Sequence, residues 1–150
     1  MRVAFGSDHA GFALKEVLKA EAEKMGHMVR DLGTDNDVDP VDYPDFGAAV
    51  GRAVVAGEAD FGVCVCGSGI GISIAANKVA GIRAALVHDV TTAALARRHN
   101  HANVMCVGAR VTGPATAVDA LAAFFDTSEE QGRHRARIAK LSELDQERLP

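Results

Sequence analysis

The sequence contains no tryptophan, a single tyrosine and three cysteines, and none of its apolar runs is long enough to cross a bilayer. The formal net charge is −4. A chain this acidic, and this poor in aromatic residues that stack on bases, is not expected to bind nucleic acid as its main partner. The N-terminal segment turns polar after a short apolar stretch, so it is not expected to be a secretory signal. We therefore expect neither a membrane nor a nucleic-acid partner.

The three cysteines are Cys64, Cys66 and Cys106, an odd number in apolar surroundings. This usage is typical of free thiols in a reducing compartment and favours a cytoplasmic location. Cys64 and Cys66 form a C-x-C pair, but no second group of cysteines or histidines accompanies the pair. No metal site is therefore expected.

Short β-rich runs alternate with longer helical patterns through the chain. Strands are predicted at residues 2–6, 27–33, 61–66, 82–87 and 104–108, and helices at 10–25, 46–56, 72–79, 91–99, 115–125 and roughly 131–148. The third strand is almost continuously apolar, as expected of a strand that is covered on both faces. The alternation predicts one α/β domain over residues 1–150. We expect a three-layer α/β/α, Rossmann-like arrangement with a five-stranded parallel sheet and a C-terminal helix.

The loop with the sequence CGSGIG, residues 66–71, leaves the buried strand and enters a helix. In a parallel sheet, ligands bind at such strand-to-helix loops, and glycines let backbone amides approach an anion closely. Asp89 follows about 20 residues later, where a ribose-binding acid would stand in a dinucleotide fold. The spacing is G-x-G-x-G, however, and no G-K-[ST] is present. A nucleotide- or phosphate-binding module without turnover stays open as an alternative.

Several polar side chains are predicted near the loops of this sheet. Cys66 lies beside the glycine-loop amides, a setting that favours the thiolate and suits a base or nucleophile, although a buried inert cysteine is the alternative. Asp8 and His9 follow the first strand, where Asp8 is also able simply to cap the next helix. His99 and Asn100 lie where the fourth helix gives way to the last strand.

Arginines are the candidate ligands for a phosphate. Arg133 and Arg137 are four residues apart and share one face of the last helix, which suits a phosphate dianion; a solvated helix face is the alternative. Arg110 follows the last strand directly and is better placed to reach the rim of the sheet.

A resemblance to the type B ribose-5-phosphate isomerases, within the wider family that includes galactose-6-phosphate isomerase subunits, is carried by five segments: FGSDHAGFALK, DYPDFG, CGSGIGISIAANKVAGIRAAL, RHNHANVMCVGARV and GRHRARI. The resemblance runs over essentially the whole chain. It implies interconversion of ribose 5-phosphate and ribulose 5-phosphate through an enediolate, without metal or organic cofactor. It also implies a homodimer, or a dimer of dimers, with sites shared between subunits.

The same resemblance implies a role for each matching residue. Cys66 would be the base, His99 would open the sugar ring, and Asp8 would contact hydroxyls or assist ring opening. Ser68, a hydroxyl where many relatives have threonine, joins this catalytic group. The implied substrate contacts are Asp8, His9, Gly67, Ser68, Gly69, Ile70, Gly71, Asn100, Arg110, Arg133 and Arg137, with His9 and the arginines around the phosphate. Ile72 stands where some members carry a glutamate base, so the cysteine mechanism is the consistent one.

The length of the sugar stays open at this stage. A hexose 6-phosphate, a tetrose phosphate or an unphosphorylated sugar are alternatives to the pentose phosphate, because the depth of the pocket depends on side chains that the sequence does not place in space.

Overall fold

Five short apolar segments form parallel strands, and the helices between them pack on both faces of the sheet. The computed structural model describes residues 1–146. The strands are β1 (Arg2–Ser7), β2 (Met28–Asp31), β3 (Phe61–Cys66), β4 (Ala84–Leu86) and β5 (Val104–Gly108). The helices are α1 (Phe12–Lys24), α2 (Tyr43–Val55), α3 (Ile70–Ala76), α4 (Val90–Asn100), α5 (Pro114–Asp126) and α6 (Arg133–Gln146). All strand pairs are parallel, which confirms the predicted α/β fold.

The central strand β3 shows why two helical layers are needed. Val63 and Val65 point into one apolar cluster and Cys64 and Cys66 into another, because successive side chains of a strand point to opposite faces. The first cluster is covered by α1, α4 and α5, and the second by α2 and α3. The strand is therefore buried on both faces, as its apolar run predicts.

Element boundaries differ from the prediction in several places. Helix α2 begins at Tyr43, three residues before the predicted start at residue 46, because Pro44 fits the first turn of a helix, where its missing N–H is not needed. Helix α3 likewise begins two residues early, at Ile70. Strand β2 has only four residues. The last helix is described from Arg133 to Gln146, and the predicted extension over residues 147 and 148 lies outside the described residues.

The strand order, which the sequence did not predict, is β2-β1-β3-β5-β4. The strand that follows β1 in the chain, β2, lies on one side of β1. The strands that follow β3, which are β4 and β5, lie on the opposite side of the sheet. The direction reverses between β1 and β3, and in open α/β sheets a ligand crevice lies at that switch point, outside the carboxyl ends of the strands. Within residues 1–146, no helix has both the length and the apolar character that a membrane span requires.

Candidate active site

A cavity of about 470 Å³ opens at the carboxyl edge of the sheet, beside the switch point. Its lining residues are Asp8, His9, Ala10, Tyr43, Cys66, Gly67, Ser68, Gly71, Arg110 and Val111. The side chains of Asp8, His9, Tyr43, Cys66, Ser68 and Arg110 are called the carboxyl-edge cluster below. Most of the site residues predicted around the first and third strands therefore line one cavity. Gly69 and Ile70 belong to the same loop but are not among these lining residues.

Cys66 is the last residue of β3 and is almost fully buried. The Gly69 N–H donates to its Sγ at 3.1 Å. Gly69 has a φ of 78°, and a Cβ at this position would come within 2.6 Å of the Leu86 side chain. The turn that points this amide back at the sulfur therefore requires glycine.

Ser68 and Arg110 are held beside this sulfur by main-chain contacts. The Ile70 N–H donates to Ser68 Oγ at 3.2 Å, which leaves the hydroxyl proton available to a ligand. Beyond the end of β5, the Ala109 N–H donates to the Cys66 carbonyl and the Arg110 N–H to the Gly67 carbonyl, both at 2.9 Å. These two bonds continue the sheet ladder and fix Arg110 next to the glycine loop.

Asp8 and His9 occupy the turn between β1 and α1. Asp8 Oδ1 accepts the Gly11 N–H at 2.9 Å, so the carboxylate holds the turn that precedes the helix in addition to lining the cavity. His9 Nδ1 accepts the Val41 N–H at 3.2 Å. An acceptor Nδ1 places the proton of the neutral ring on Nε2, which makes that nitrogen a donor for an anionic ligand.

Tyr43 lines the cavity but was not among the predicted site residues. Its ring lies directly over Gly71, where a Cβ would come within 2.6 Å of the Tyr43 Cζ. The segment DYPD contains a signal for this position. A proline is common in the first turn of a helix, so Pro44 indicates a helix start that places Tyr43 at a strand-to-helix loop. The glycine and the tyrosine together shape this wall of the cavity.

His99 and Asn100 lie at the other edge of the sheet. Helix α4 starts after β4 at the carboxyl edge, and its 11 residues carry the chain about 16 Å back to the point where β5 begins. Helix α5 follows β5 at the carboxyl edge and also runs back to the amino edge, so α6 begins near the amino edge. Asn100 lines a second cavity, of about 510 Å³, together with residues of β4, α4 and α6.

The residues around His99 form what is called the amino-edge cluster below: His99, Glu130, Arg133, His134 and Arg137. The rings of His99 and His134 stack with centroids 4.2 Å apart and planes 4° apart. Glu130 Oε2 lies 3.8 Å from His99 Nε2 and 3.5 Å from His134 Nε2. Burial, and then the nearby charges of His99, Arg133 and Arg137, lower the pKa of His134. Sequence reasoning did not include Glu130 or His134.

Among residues 1–146, one group of three side chains brings metal-ligand atoms together, and it is His99, Glu130 and His134, with these atoms within 4.8 Å of one another. A shared ion needs the lone pairs of both rings to converge on it. Because the two rings are nearly parallel, their lone pairs run side by side. The arrangement favours ring stacking over coordination of one ion.

Comparisons with known proteins find relatives that match nearly the whole chain. The model of the Ribose/Galactose Isomerase family matches residues 3–141. The chain is similar to ribose-5-phosphate isomerase B of Escherichia coli, with 42% identity over 98% of each chain. A solved structure of ribose-5-phosphate isomerase B from Clostridium thermocellum has a TM-score of 0.96 and 43% identity, covering 98% of this chain and 99% of that one. The Mycoplasma genitalium enzyme with bound ribulose-5-phosphate has a TM-score of 0.92 and 37% identity, covering 97% of both chains.

Proposed function

The chain belongs to the ribose/galactose isomerase family, and from this premise we propose that it interconverts ribose 5-phosphate and ribulose 5-phosphate. The observation that carries the proposal is the Cys66 thiol, which lines a cavity of suitable size and accepts a backbone amide at 3.1 Å. A backbone amide directed at the sulfur suits a base at this position, because a thiolate is a better hydrogen-bond acceptor than a thiol. A thiolate in such a crevice is equipped to move a proton between neighbouring carbons.

In the proposed proton transfer, the Cys66 thiolate removes the proton from C2 of the open aldose. The electron pair of that C–H bond forms the C1=C2 double bond of an enediolate, and the carbonyl pair moves to O1. The O2 proton then moves to O1. As the C2=O2 double bond forms, the electron pair of the C1=C2 bond takes the proton back from Cys66 at C1, which gives the ketose. Preorganised donors stabilise the developing oxyanion. Because the Gly69 amide is engaged by the sulfur, the donors left for the oxyanion are the amides of Gly67, Ser68 and Gly71 and the Ser68 hydroxyl.

Ring opening must precede this step, because ribose 5-phosphate closes its ring between O4 and C1. We assign His99 as the acid that protonates O4 while the C1–O4 bond breaks. Asp8 accepts the O1 proton as the free carbonyl forms. Protons balance, since one leaves His99 and one arrives at Asp8. General acid catalysis of this kind contributes roughly 10²- to 10⁴-fold to a rate.

His99 and Cys66 stand at opposite edges of the sheet in one chain, so this mechanism needs a second copy. We propose a homodimer, alone or within a dimer of dimers, in which the amino-edge cluster of one copy meets the carboxyl-edge cluster of the other. A two-fold axis creates two such sites at once, because each copy contributes the same pair of surfaces. The arginines of α6 support this arrangement, since Arg133 and Arg137 are exposed, although Arg133 Nε also donates to His134 Nε2 at 3.4 Å.

The phosphate would be held by cations from both copies. His9 and Arg110 contribute from the carboxyl-edge cluster, and Arg133 and Arg137 from the amino-edge cluster of the second copy. Asn100 is assigned as a further sugar contact from that copy. Guanidinium groups suit a phosphate because they make paired, charge-assisted hydrogen bonds to its oxygens.

Turnover of a panel of aldose phosphates with four, five and six carbons, with and without chelator, tests the proposed substrate. We expect ribose 5-phosphate to give the highest kcat/KM and free ribose to be a poor substrate. A higher kcat/KM for a hexose 6-phosphate would instead favour the galactose branch of the family. If no substrate is converted, and no solvent deuterium enters ribulose 5-phosphate, the chain is a binding module and the proposal is wrong.

The state of the thiols bears on where the enzyme works. All three cysteines are free and buried. A mechanism that depends on a reduced Cys66 requires a reducing compartment, because disulfides and other oxidised forms of cysteine lack the basic thiolate. We therefore propose that the enzyme acts in the cytoplasm.

A further inference from the structure

We propose that Glu130 is a positioning residue for ring opening, which acts through His99 by fixing the ring and offsetting the positive charges around it. The inference rests on the proposed function, because it assigns a partner to the acid of that reaction. It concerns one chain only, since Glu130 and His99 belong to the same amino-edge cluster.

The backbone anchors Glu130 to the end of α4. Its N–H donates to the Arg98 carbonyl at 2.8 Å, so the segment between α5 and α6 closes onto the last turn of α4. The side chain then lies among three nitrogen atoms, with Arg98 Nε at 3.8 Å, His99 Nε2 at 3.8 Å and His134 Nε2 at 3.5 Å. Because the main chain of Glu130 is anchored in this way, its carboxylate is held close to the ring of His99.

His134 restricts the ring of His99 from the other side. It is buried, and its imidazole covers the His99 ring in a nearly parallel stack. Two stacked imidazolium ions would repel each other, and burial lowers the pKa of His134, which disfavours a positive charge on that ring. Of the two stacked rings, His99 is the exposed one and is therefore the ring that can meet the substrate.

The charges around His99 explain why a carboxylate is needed. Arg98 precedes it on α4 and lies beside Glu130, and the charges of Arg133 and Arg137 on α6 act on the stacked ring of His134. Glu129, the neighbouring acid, is paired with a different histidine, because its Oε2 lies 3.0 Å from His101 Nδ1. Glu130 is the acid whose carboxylate faces His99 Nε2, and it is the one carboxylate among the five side chains of the amino-edge cluster.

The matched variants Glu130→Gln and Glu129→Gln test this assignment, because each removes one carboxylate without changing shape. Two reactions are measured for each. One is conversion of ribose 5-phosphate. The other is exchange of the C1 hydrogen of ribulose 5-phosphate with solvent deuterium. Ribulose 5-phosphate cannot close a five-membered ring, since its O5 is esterified, so this exchange needs Cys66 but no ring opening.

For Glu130→Gln we expect kcat/KM for ribose 5-phosphate to fall on the order of tenfold, a part of what the acid itself contributes. The exchange reaction should stay within about twofold of wild type, because general acid catalysis is not used in it. Glu130→Asp keeps the charge and should restore much of the conversion of ribose 5-phosphate, and Glu129→Gln should leave both reactions unchanged.

Wild-type conversion of ribose 5-phosphate by Glu130→Gln would overturn the inference. An equal loss of conversion and exchange would also overturn it, because that pattern indicates general damage to the site. These outcomes are distinct from failure of the proposed function, in which the wild-type protein itself would neither convert ribose 5-phosphate nor exchange the C1 hydrogen of ribulose 5-phosphate.

Discussion

The carboxyl-edge and amino-edge clusters are held in place by different means. In the first, Asp8 and Cys66 are 6% and 4% exposed, and backbone hydrogen bonds of about 2.9 Å fix the loops around them. In the second, the side chains of His99 and Glu130 are 36% and 51% exposed and stand 3.8 Å apart. The carboxyl-edge cluster is therefore held by strand ends and the loops after them, whereas the amino-edge cluster is held by the ends of helices.

This difference matches the chemistry proposed for each cluster. Proton abstraction from carbon requires a base and oxyanion donors in fixed positions, which buried strands provide. Charge contacts between exposed groups are weak because water and salt screen them. In the proposed dimer, a second copy would cover the amino-edge cluster, and the exclusion of water would strengthen its charge contacts. Association of two copies would thus complete the site and activate its exposed half.

Removal of the base should have the largest effect. Cys66→Ala is expected to lower both the conversion of ribose 5-phosphate and the C1 exchange of ribulose 5-phosphate by roughly 10³-fold, because both reactions use the same base. Cys64→Ala is the control, since Cys64 lies on the same face of β3 two residues earlier and is fully buried. Deuterium exchange that persists in Cys66→Ala would contradict the assignment of the base.

Removal of the ring-opening acid should separate the two clusters. His99→Asn is expected to lower conversion of ribose 5-phosphate by roughly 10²-fold and to leave the exchange reaction intact. His101→Asn is a suitable control, because His101 has a φ of 48° and asparagine tolerates that conformation. If His99→Asn abolishes the exchange as well, the two clusters do not divide the reaction as proposed.

Removal of the phosphate ligands should weaken both reactions together. Arg133→Met and Arg137→Met are each expected to raise KM about tenfold, which corresponds to loss of one charge-assisted hydrogen bond, with little change in kcat. Initial rates over a range of substrate concentrations measure the two constants. A fall in kcat with unchanged KM would indicate a role in the chemical step instead.

The smallest effect on activity should come from the scaffold of the carboxyl-edge cluster. Lys15 is fully buried and donates to Asp31 Oδ2 and to the Thr34 carbonyl, each at 2.7 Å. Burial opposes ionisation of Asp31, but the hydrogen bonds from Lys15, Lys19 and Gly33 outweigh it and lower the pKa of this carboxyl group. Asp31→Asn is expected to lower the free energy of unfolding by about 1 to 3 kcal/mol at neutral pH while kcat is unchanged.

The pH dependence of that loss has a definite sign. A carboxyl group with a lowered pKa in the folded state stabilises the protein above its unfolded pKa, and this stabilisation disappears as the pH falls through the folded pKa. The difference in free energy of unfolding between wild type and Asp31→Asn should therefore be largest at neutral pH and become smaller at acidic pH. Denaturant unfolding at several pH values measures it, with the exposed Asp39→Asn as control. A difference that is constant with pH would show that ionisation of Asp31 is not the cause.

Much of the carboxyl-edge cluster was predictable because its residues follow directly from strands. The apolar run of β3 and the glycines after it locate Cys66 and Ser68, and the parallel arrangement brings Asp8 to the same edge. Tyr43 was missed because the acidic stretch before it hides the start of α2. The strand order was not predictable, since the choice of neighbours depends on packing of whole elements.

The amino-edge cluster was predictable only in part. The resemblance implied site roles for His99, Arg133 and Arg137, and the alternation of strands and helices already implied that the end of α4 lies at the amino edge. Glu130 and His134 carry no local pattern of their own. Their contacts with His99 arise because the segment after α5 folds back onto α4, which is a tertiary contact between distant parts of the chain.

Complementation between two inactive variants tests the central claim, that each site joins the carboxyl-edge cluster of one copy to the amino-edge cluster of another. Cys66→Ala and His99→Asn are unfolded together in equal amounts and allowed to reassemble. Random pairing in a two-fold dimer leaves one intact site in each mixed pair, so activity should recover to about one-quarter of wild type. A mixture of Cys66→Ala with Arg110→Ala, both in the carboxyl-edge cluster, should regain nothing beyond its components. No recovery from the first mixture, in reassembled mixed dimers, would contradict the account.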